Sequence, residues 1–187
     1  MPRLDVNYGG SSGYGRAYMY VFTLSHRTSA LTLYVHHRNR LNSFWGIVDV
    51  RDCALSVSIL AEKHGLIDPK RTAIRGGSSG GFTVLATLCA YPDVFGAGGS
   101  LYGISDLQKL DEFTHKFESR YCEKLLGGTY AQVPQVYKER SPVNNADKIK
   151  SPLLVSAHLM MHPATADLWS LAGSSRFNRR GRTAGAS

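Results

Sequence analysis

Residues 72–90 read TAIRGGSSGGFTVLATLCA. A short β-prone run, TAIR, meets a glycine and serine cluster that fits G-x-S-x-G, and the apolar stretch FTVLATLCA follows at once. This is the context of a nucleophile elbow, in which a strand runs into a sharp, strained turn and a helix starts directly after it. Gly76, Gly80 and Gly81 are expected here because strand and helix approach too closely for side chains. Ser78 stands at the apex, in a backbone geometry most residues avoid. Its Oγ is then exposed at the carboxyl end of the sheet, and the Ser79 backbone N–H, at the positive end of the helix, points toward a developing oxyanion. A phosphate cradle is the competing reading. It fails because a Walker loop needs a lysine after its last glycine and none follows Gly81, and no G-x-G-x-x-G is present here.

The pentapeptide GGSSG also occurs at residues 9–13, within NYGGSSGYGRAY. No apolar helix period follows that copy, so Ser11 is read as part of a loop. Four short apolar runs bounded by turn residues read as buried strands: LDVNY at 4–8, TAIRG at 72–76, FGAGGSLYG near 95–103 and PLLVS at 152–156. Helical patterns lie between them. GIVDVRDCALSVSILAEKHG at 46–65 places Val50, Ala54, Val57, Leu60 and Ala61 on one face, with Asp49, Arg51, Asp52, Glu62 and Lys63 mostly elsewhere and Gly65 as a stop. SGGFTVLATLCAYP at 79–92 reads as a buried helix ended by Pro92, and HKFESRYCEKLLGG at 115–128 as an amphipathic one ending on two glycines. Strands alternating with helices of this length predict an α/β fold with a mostly parallel sheet flanked by helices.

Composition narrows the remaining classes. A chain of 187 residues with 43% hydrophobic content is long enough for one domain with a substantial core. Cys53, Cys89 and Cys122 have no C-x-x-C spacing, which argues against a disulfide framework or a zinc ribbon and fits a reducing, cytoplasmic setting. The first twenty residues lack the apolar core of a signal peptide, and MYVFTLSHRTSALTLYV at 19–35 is broken by His26 and Arg27, too polar for a spanning helix. No membrane association is expected. Of the net charge of +8, four positive charges are Arg176, Arg179, Arg180 and Arg182 in the last twelve residues. That stretch reads as a solvated, disordered basic tail rather than a nucleic-acid arm, since only Phe177 interleaves with the arginines.

Several motifs agree in order and spacing with one family. NYGGSSGYGRAY, NSFWGIVDVRDC, the long run GLIDPKRTAIRGGSSGGFTVLATLCAYPDVFGAGGSLYGISDL, THKFESRY and YKERSPVNNADKIKSPLL together resemble the catalytic domain of the prolyl oligopeptidase family of serine peptidases, especially its dipeptidyl and acylaminoacyl peptidase-like branch. The resemblance covers nearly all of residues 4–18 and 39–154. It implies an α/β-hydrolase fold, a Ser-Asp-His triad with Ser78 as nucleophile, an acyl-enzyme route to hydrolysis of short peptides, and no metal or organic cofactor.

The match breaks in three places. After Val155 the chain reads SAHLMMHPATADLWSLAGSSRFNRRGRTAGAS, without the Gly/Glu/Asp-rich loop or the H-G motif that carry the triad acid and histidine in the family. His158 and His162 precede Asp167, the reverse of the fold's order, and Asp93, Asp106, Asp111 and His115 fall in parts that match non-catalytic stretches. No triad Asp or His is identified. The family's H-G-G-P-like loop and its strand are missing, so the strands at 4–8 and 72–76 would lack their natural neighbour. Finally, YMYVFTLSHRTSALTLYVHHR at 18–38 interrupts the match. The expected organisation is a partial α/β-hydrolase peptidase domain over 1–156 with a non-matching insertion at about 19–38, and a non-matching tail over 157–187, as in a truncated or mis-spliced product. Loss of the general base costs about 10⁶-fold in turnover, roughly 8 kcal/mol of barrier, which makes the chain as written a poor peptidase. The rival reading is an inactive fragment whose exposed strand edges pair with full-length family members or with itself.

Overall fold

The computed structural model describes residues 4–9, 41–114 and 121–156. Ser11, the insertion at about 19–38, His115 and the whole of 157–187, with His158, His162 and Asp167, lie outside them. Three of the four expected strands form. β1 (Ala73–Gly77), β2 (Ala97–Leu101) and β3 (Leu153–Ser156) make one parallel sheet in the order β1-β2-β3. Ala73 pairs with Ala97 and Gly77 with Leu101 across the first ladder, and Gly98 pairs with Leu153 and Leu101 with Ser156 across the second.

LDVNY at 4–8 is not a strand. A strand exists only within a ladder, and the described sheet consists of β1, β2 and β3. The segment is tied instead to the first helix, α1 (Val48–Ser58), where the Gly9 N–H donates to Asp52 Oδ2 at 2.9 Å. α1 continues through one π-helical turn at Ile59–Lys63 and stops at Gly65, whose φ of 60° only glycine adopts readily. Val50, Ala54 and Val57 are buried as the periodicity predicts, but Cys53 and Asp49 are buried beside them.

The helix that decides the fold is α2 (Ser79–Ala90). It is buried from Gly81 to Cys89 without interruption. That absence of a polar face follows from its position, because it touches β1 and β2 on one side and α1 and the 3-10 turn Pro142–Lys148 on the other. Val84, Leu85 and Leu88 pack with Val57, Phe95 and Leu153 over the sheet. Leu88 lies directly on Gly98, where any Cβ would collide with its Cδ1. Phe82 faces the opposite cluster, with Trp45, Val50, Leu107, Leu125, Leu126 and Tyr137, and its ring centroid is 4.4 Å from that of Trp45.

The second cluster is closed by three short helices, and the periodicity misses the first and the last of them. α3 (Leu107–Thr114) begins on Asp106, whose Oδ1 accepts from the Gln108 and Lys109 N–H groups at 3.0 and 3.1 Å. Only α4 (Tyr121–Leu126) of the helix expected over 115–128 falls within the described residues, and Gly127 ends it at a φ of 91°. α5 (Pro134–Arg140) starts with proline in its first turn and drives Tyr137 fully into the core, its hydroxyl donating to the Gly128 carbonyl at 3.1 Å. Cys53 and Cys89 are buried thiols, each pushed up to about 12 chiefly by burial. Among the described residues no helix is long and apolar enough to cross a membrane.

Leu88 is 0% exposed and bridges helix and sheet. Leu88→Ala is expected to cost about 2–5 kcal/mol through the lost methyls and the cavity over Gly98, read as a lower denaturation midpoint in guanidinium at unchanged slope.

Candidate active site

β1 carries its ladder one residue past its end: the Ser78 N–H donates to the Leu101 carbonyl of β2 at 3.0 Å. The chain then turns at Ser78, with φ 54° and ψ −123°, and α2 starts at the next residue. A non-glycine residue at this φ costs on the order of 1–3 kcal/mol and persists only where its surroundings over-determine it. Here they do, because the Ser78 carbonyl also accepts the Phe82 N–H at 3.1 Å as the first bond of the helix. Serine is a favoured side-chain cap, yet Ser78 makes no side-chain cap to α2. Both Ser78 and Ser79 are exposed. The result is an exposed hydroxyl beside the uncapped amide end of a twelve-residue helix.

Two of the three expected glycine constraints are present. A Cβ on Gly76 would strike the Gly80 carbonyl, with the Gly80 Cα at 3.1 Å, so β1 and α2 touch backbone to backbone. A Cβ on Gly81 would lie 2.6 Å from the Gly103 Cα, which brings the helix equally close to the turn after β2. Gly80 is different. Its own Cβ would meet nothing within 4 Å, so the expected requirement for glycine there is corrected: Gly80 supplies the backbone that Gly76 must avoid, and its own side is open. Tyr102, at a φ of 42°, closes the other flank, with its hydroxyl 2.8 Å from where a Gly77 Cβ would be.

Beneath the elbow lies a polar group that the helical pattern placed off the buried face. Asp49 is 0% exposed. Its Oδ1 accepts the Gly46 N–H at 2.7 Å, and its Oδ2 accepts the Thr83 hydroxyl at 2.7 Å, so the carboxyl joins the turn before α1 to the second turn of α2. Burial raises its pKa above the usual carboxylate range, with the hydrogen bonds from Thr83 and Gly46 opposing the rise. The signal was present in the sequence, since Asp49, Cys53 and Val57 recur at intervals of four and form a stripe beside Val50 and Ala54. Arg140 of α5 stands nearby, donating to the Ser43 and Trp45 carbonyls at 3.0 Å each.

Three aspartates that follow Ser78 have structural partners. Asp93 pairs with Lys150 at 2.9 Å on the surface, Asp106 caps α3, and Asp111 Oδ1 accepts from the Tyr137 hydroxyl at 3.4 Å. His64, exposed at the end of the π turn, is the histidine among the described residues, and it makes no hydrogen bond to Ser78. No group of three His, Cys, Asp or Glu among the described residues forms a metal site.

The model of the prolyl oligopeptidase family matches residues 36–168. Dipeptidyl aminopeptidase BIII of Pseudoxanthomonas mexicana is 29% identical over 156 residues, which are 81% of this chain and 20% of that protein. The acylamino-acid-releasing enzyme of Arabidopsis thaliana is 29% identical over 165 residues, 81% of this chain and 18% of its own. The chain thus spans about a fifth of the length of the curated relatives it matches. A puromycin-hydrolyzing peptidase of Mycobacterium tuberculosis superposes with a TM-score of 0.71 at 40% identity, over 90% of this chain and 23% of that one. An acylaminoacyl peptidase of Pyrococcus horikoshii, at 21% identity, shares the fold with a TM-score of 0.62 over 76% of this chain and 24% of that one. The fold is that of the α/β-hydrolase peptidases, with an open parallel sheet.

Two outcomes test the elbow's construction. Gly76→Ala is expected to cost about 1–3 kcal/mol or more by forcing β1 from α2, whereas Gly80→Ala, in open space within the helix, is expected to gain about 0.5–1 kcal/mol; denaturant titration of both variants measures the contrast. The raised Asp49 carboxyl sets a second expectation. The folded state binds a proton that the unfolded aspartate releases near its ordinary 3.8, so the contribution of Asp49 to stability is full below that value and is lost as pH rises through the folded pKa. Asp49→Asn should flatten that slope in thermal melts taken across acidic pH.

Proposed function

The chain belongs to the prolyl oligopeptidase family, and from that premise we propose that it carries the nucleophile of a serine-type peptidase acting on short peptides through an acyl-enzyme on Ser78. The observation that carries this reading is the backbone at Ser78: an exposed serine held at φ 54° between the end of β1 and the start of α2. Ser78 Oγ attacks the scissile carbonyl, and a new C–O bond forms as the carbonyl π pair moves onto oxygen. The Ser79 N–H, at the positive end of α2, donates to that oxyanion. Collapse of the intermediate breaks the C–N bond, and the proton lost from Oγ passes through a general base to the leaving amine. Water then repeats the attack on the ester and releases the acid. The base and its acid partner are not assigned to any described residue, and the proposal is confined to the nucleophile and its oxyanion donor.

The relatives support the substrate class. Those at about 40% identity carry the names puromycin hydrolase and puromycin-hydrolyzing peptidase, so an aminoacyl amide such as puromycin is a suitable first substrate. A fluorophosphonate probe reports the elbow directly. Wild-type chain and Ser11→Ala should label, and Ser78→Ala should not. Labelling that survives Ser78→Ala, or its absence from a wild-type chain with a cooperative melt, sinks the assignment.

A further inference from the structure

Thr83 has one hydroxyl proton and two acceptors within reach of it. Asp49 Oδ2 is at 2.7 Å, and the Ser79 carbonyl of the preceding helical turn is at 3.2 Å. Thr83 is 3% exposed and Asp49 0%, so water does not compete for either group. The Ser79 carbonyl belongs to the peptide that ends in the Gly80 N–H, and it is one Cα away from the Ser79 N–H. Whatever holds this carbonyl sets the tilt of the first turn of α2. We propose that Asp49 is a positioning residue for the elbow, acting through the Thr83 hydroxyl on the Ser79 carbonyl and thereby on the Ser79 amide. The functional side of this inference rests on the peptidase reading above, while the hydrogen-bond coupling does not.

The coupling works through proton bookkeeping. With Asp49 ionised, a charge-assisted bond draws the Thr83 proton to Oδ2 and leaves the Ser79 carbonyl with its helical partner alone. With Asp49 protonated on Oδ2, that O–H donates to Thr83 Oγ1, and the Thr83 proton turns to the Ser79 carbonyl. Oδ1 accepts the Gly46 N–H in both states. No bond other than these reverses. Burial favours the neutral acid and the hydrogen bonds from Thr83 and Gly46 oppose it, while the Asp52 carboxylate on the same helix accepts the Gly9 N–H. The Arg140 guanidinium from α5 favours the ionised form, and the neutral Cys53 thiol on α1 adds no charge. Asp49→Asn mimics the neutral acid, with its Oδ1 on Gly46 and its amide N–H on Thr83. Thr83→Val keeps the shape and removes the relay.

Backbone amide resonances of the full chain, followed by heteronuclear NMR from acidic to neutral pH, read the relay without requiring activity. In the wild type the Gly46, Ser79 and Gly80 amides should shift with one midpoint above the ordinary carboxylate range. In Thr83→Val, Gly46 should still titrate while Ser79 and Gly80 stand still. In Asp49→Asn none should move, and Ser79 and Gly80 should sit at their wild-type low-pH positions. Ser79 and Gly80 amides that ignore a titrating Gly46, or that still titrate in Thr83→Val, overturn the proposal. Should Thr83→Val fail to fold, Asp49→Asn decides, because Ser79 and Gly80 found at their neutral-pH positions there overturn it equally. Fluorophosphonate labelling of the same samples separates the two readings. A labelling rate that steps at the shared midpoint in wild type and not in Asp49→Asn supports both, and coupled amides without any labelling remove the peptidase and leave the relay.

Discussion

Everything in this domain depends on how closely β1 and α2 approach each other. Gly76 lies so near the Gly80 backbone that no side chain fits between them. The chain passes from strand to helix at that separation through a single residue, and that residue, Ser78, takes a positive φ. The strain is held by two backbone bonds, Ser78 N–H to Leu101 and Phe82 N–H to Ser78. One belongs to the sheet and the other to the helix, so neither element can relax the corner without losing a bond of its own.

The same closeness determines what packs around it. Because α2 lies against the sheet, close approach is met by glycine, either beneath a large side chain, as Gly98 is to Leu88, or backbone to backbone, as Gly81 is to Gly103. Its outer side must be covered as well, and α1, α5 and the turn at Pro142–Lys148 do so. A helix enclosed on all sides can include no polar side chain without a partner. Thr83 and Thr87 meet that demand by bonding back to the carbonyls of Ser79 and Thr83, and Thr83 also serves Asp49. The buried carboxyl is then less an anomaly than the partner that lets a hydroxyl sit under the elbow.

How much of this was legible in the sequence follows from the range of the forces involved. The elbow, the three paired strands and the two long helices are local: each shows as a period, a glycine cluster or a stop signal within twenty residues. LDVNY carries the same local signal as the true strands and is not one, because pairing is decided by a neighbour distant in sequence. The short helices α3 and α5 have too few turns for a period, and their existence rests on the Asp106 cap and on Tyr137 reaching the Gly128 carbonyl. The turn at Ser78 between strand and helix was legible for the reason the strands were. Gly80 was misread because its constraint belongs to its partner's Cβ. Asp49 was missed because charged residues are placed outward by default, and only the cross-element bonds to Gly46 and Thr83 reverse that default.

Family membership and activity rest on different parts of the chain, and their energies differ. An oxyanion donor of the kind the Ser79 amide supplies in the proposed site is worth about 2.7–4 kcal/mol of barrier in serine peptidases. A general base is worth about twice that, since its removal costs about 10⁶-fold. Strand, turn and helix can therefore build the smaller contribution entirely from backbone, within one stretch of nineteen residues. The larger one needs an imidazole brought to Ser78 from a loop distant in sequence, which local folding cannot supply. An elbow of this kind thus persists on packing alone, whatever the rest of the site contributes, because Gly76, Leu88 and Phe82 hold it for the stability of the sheet.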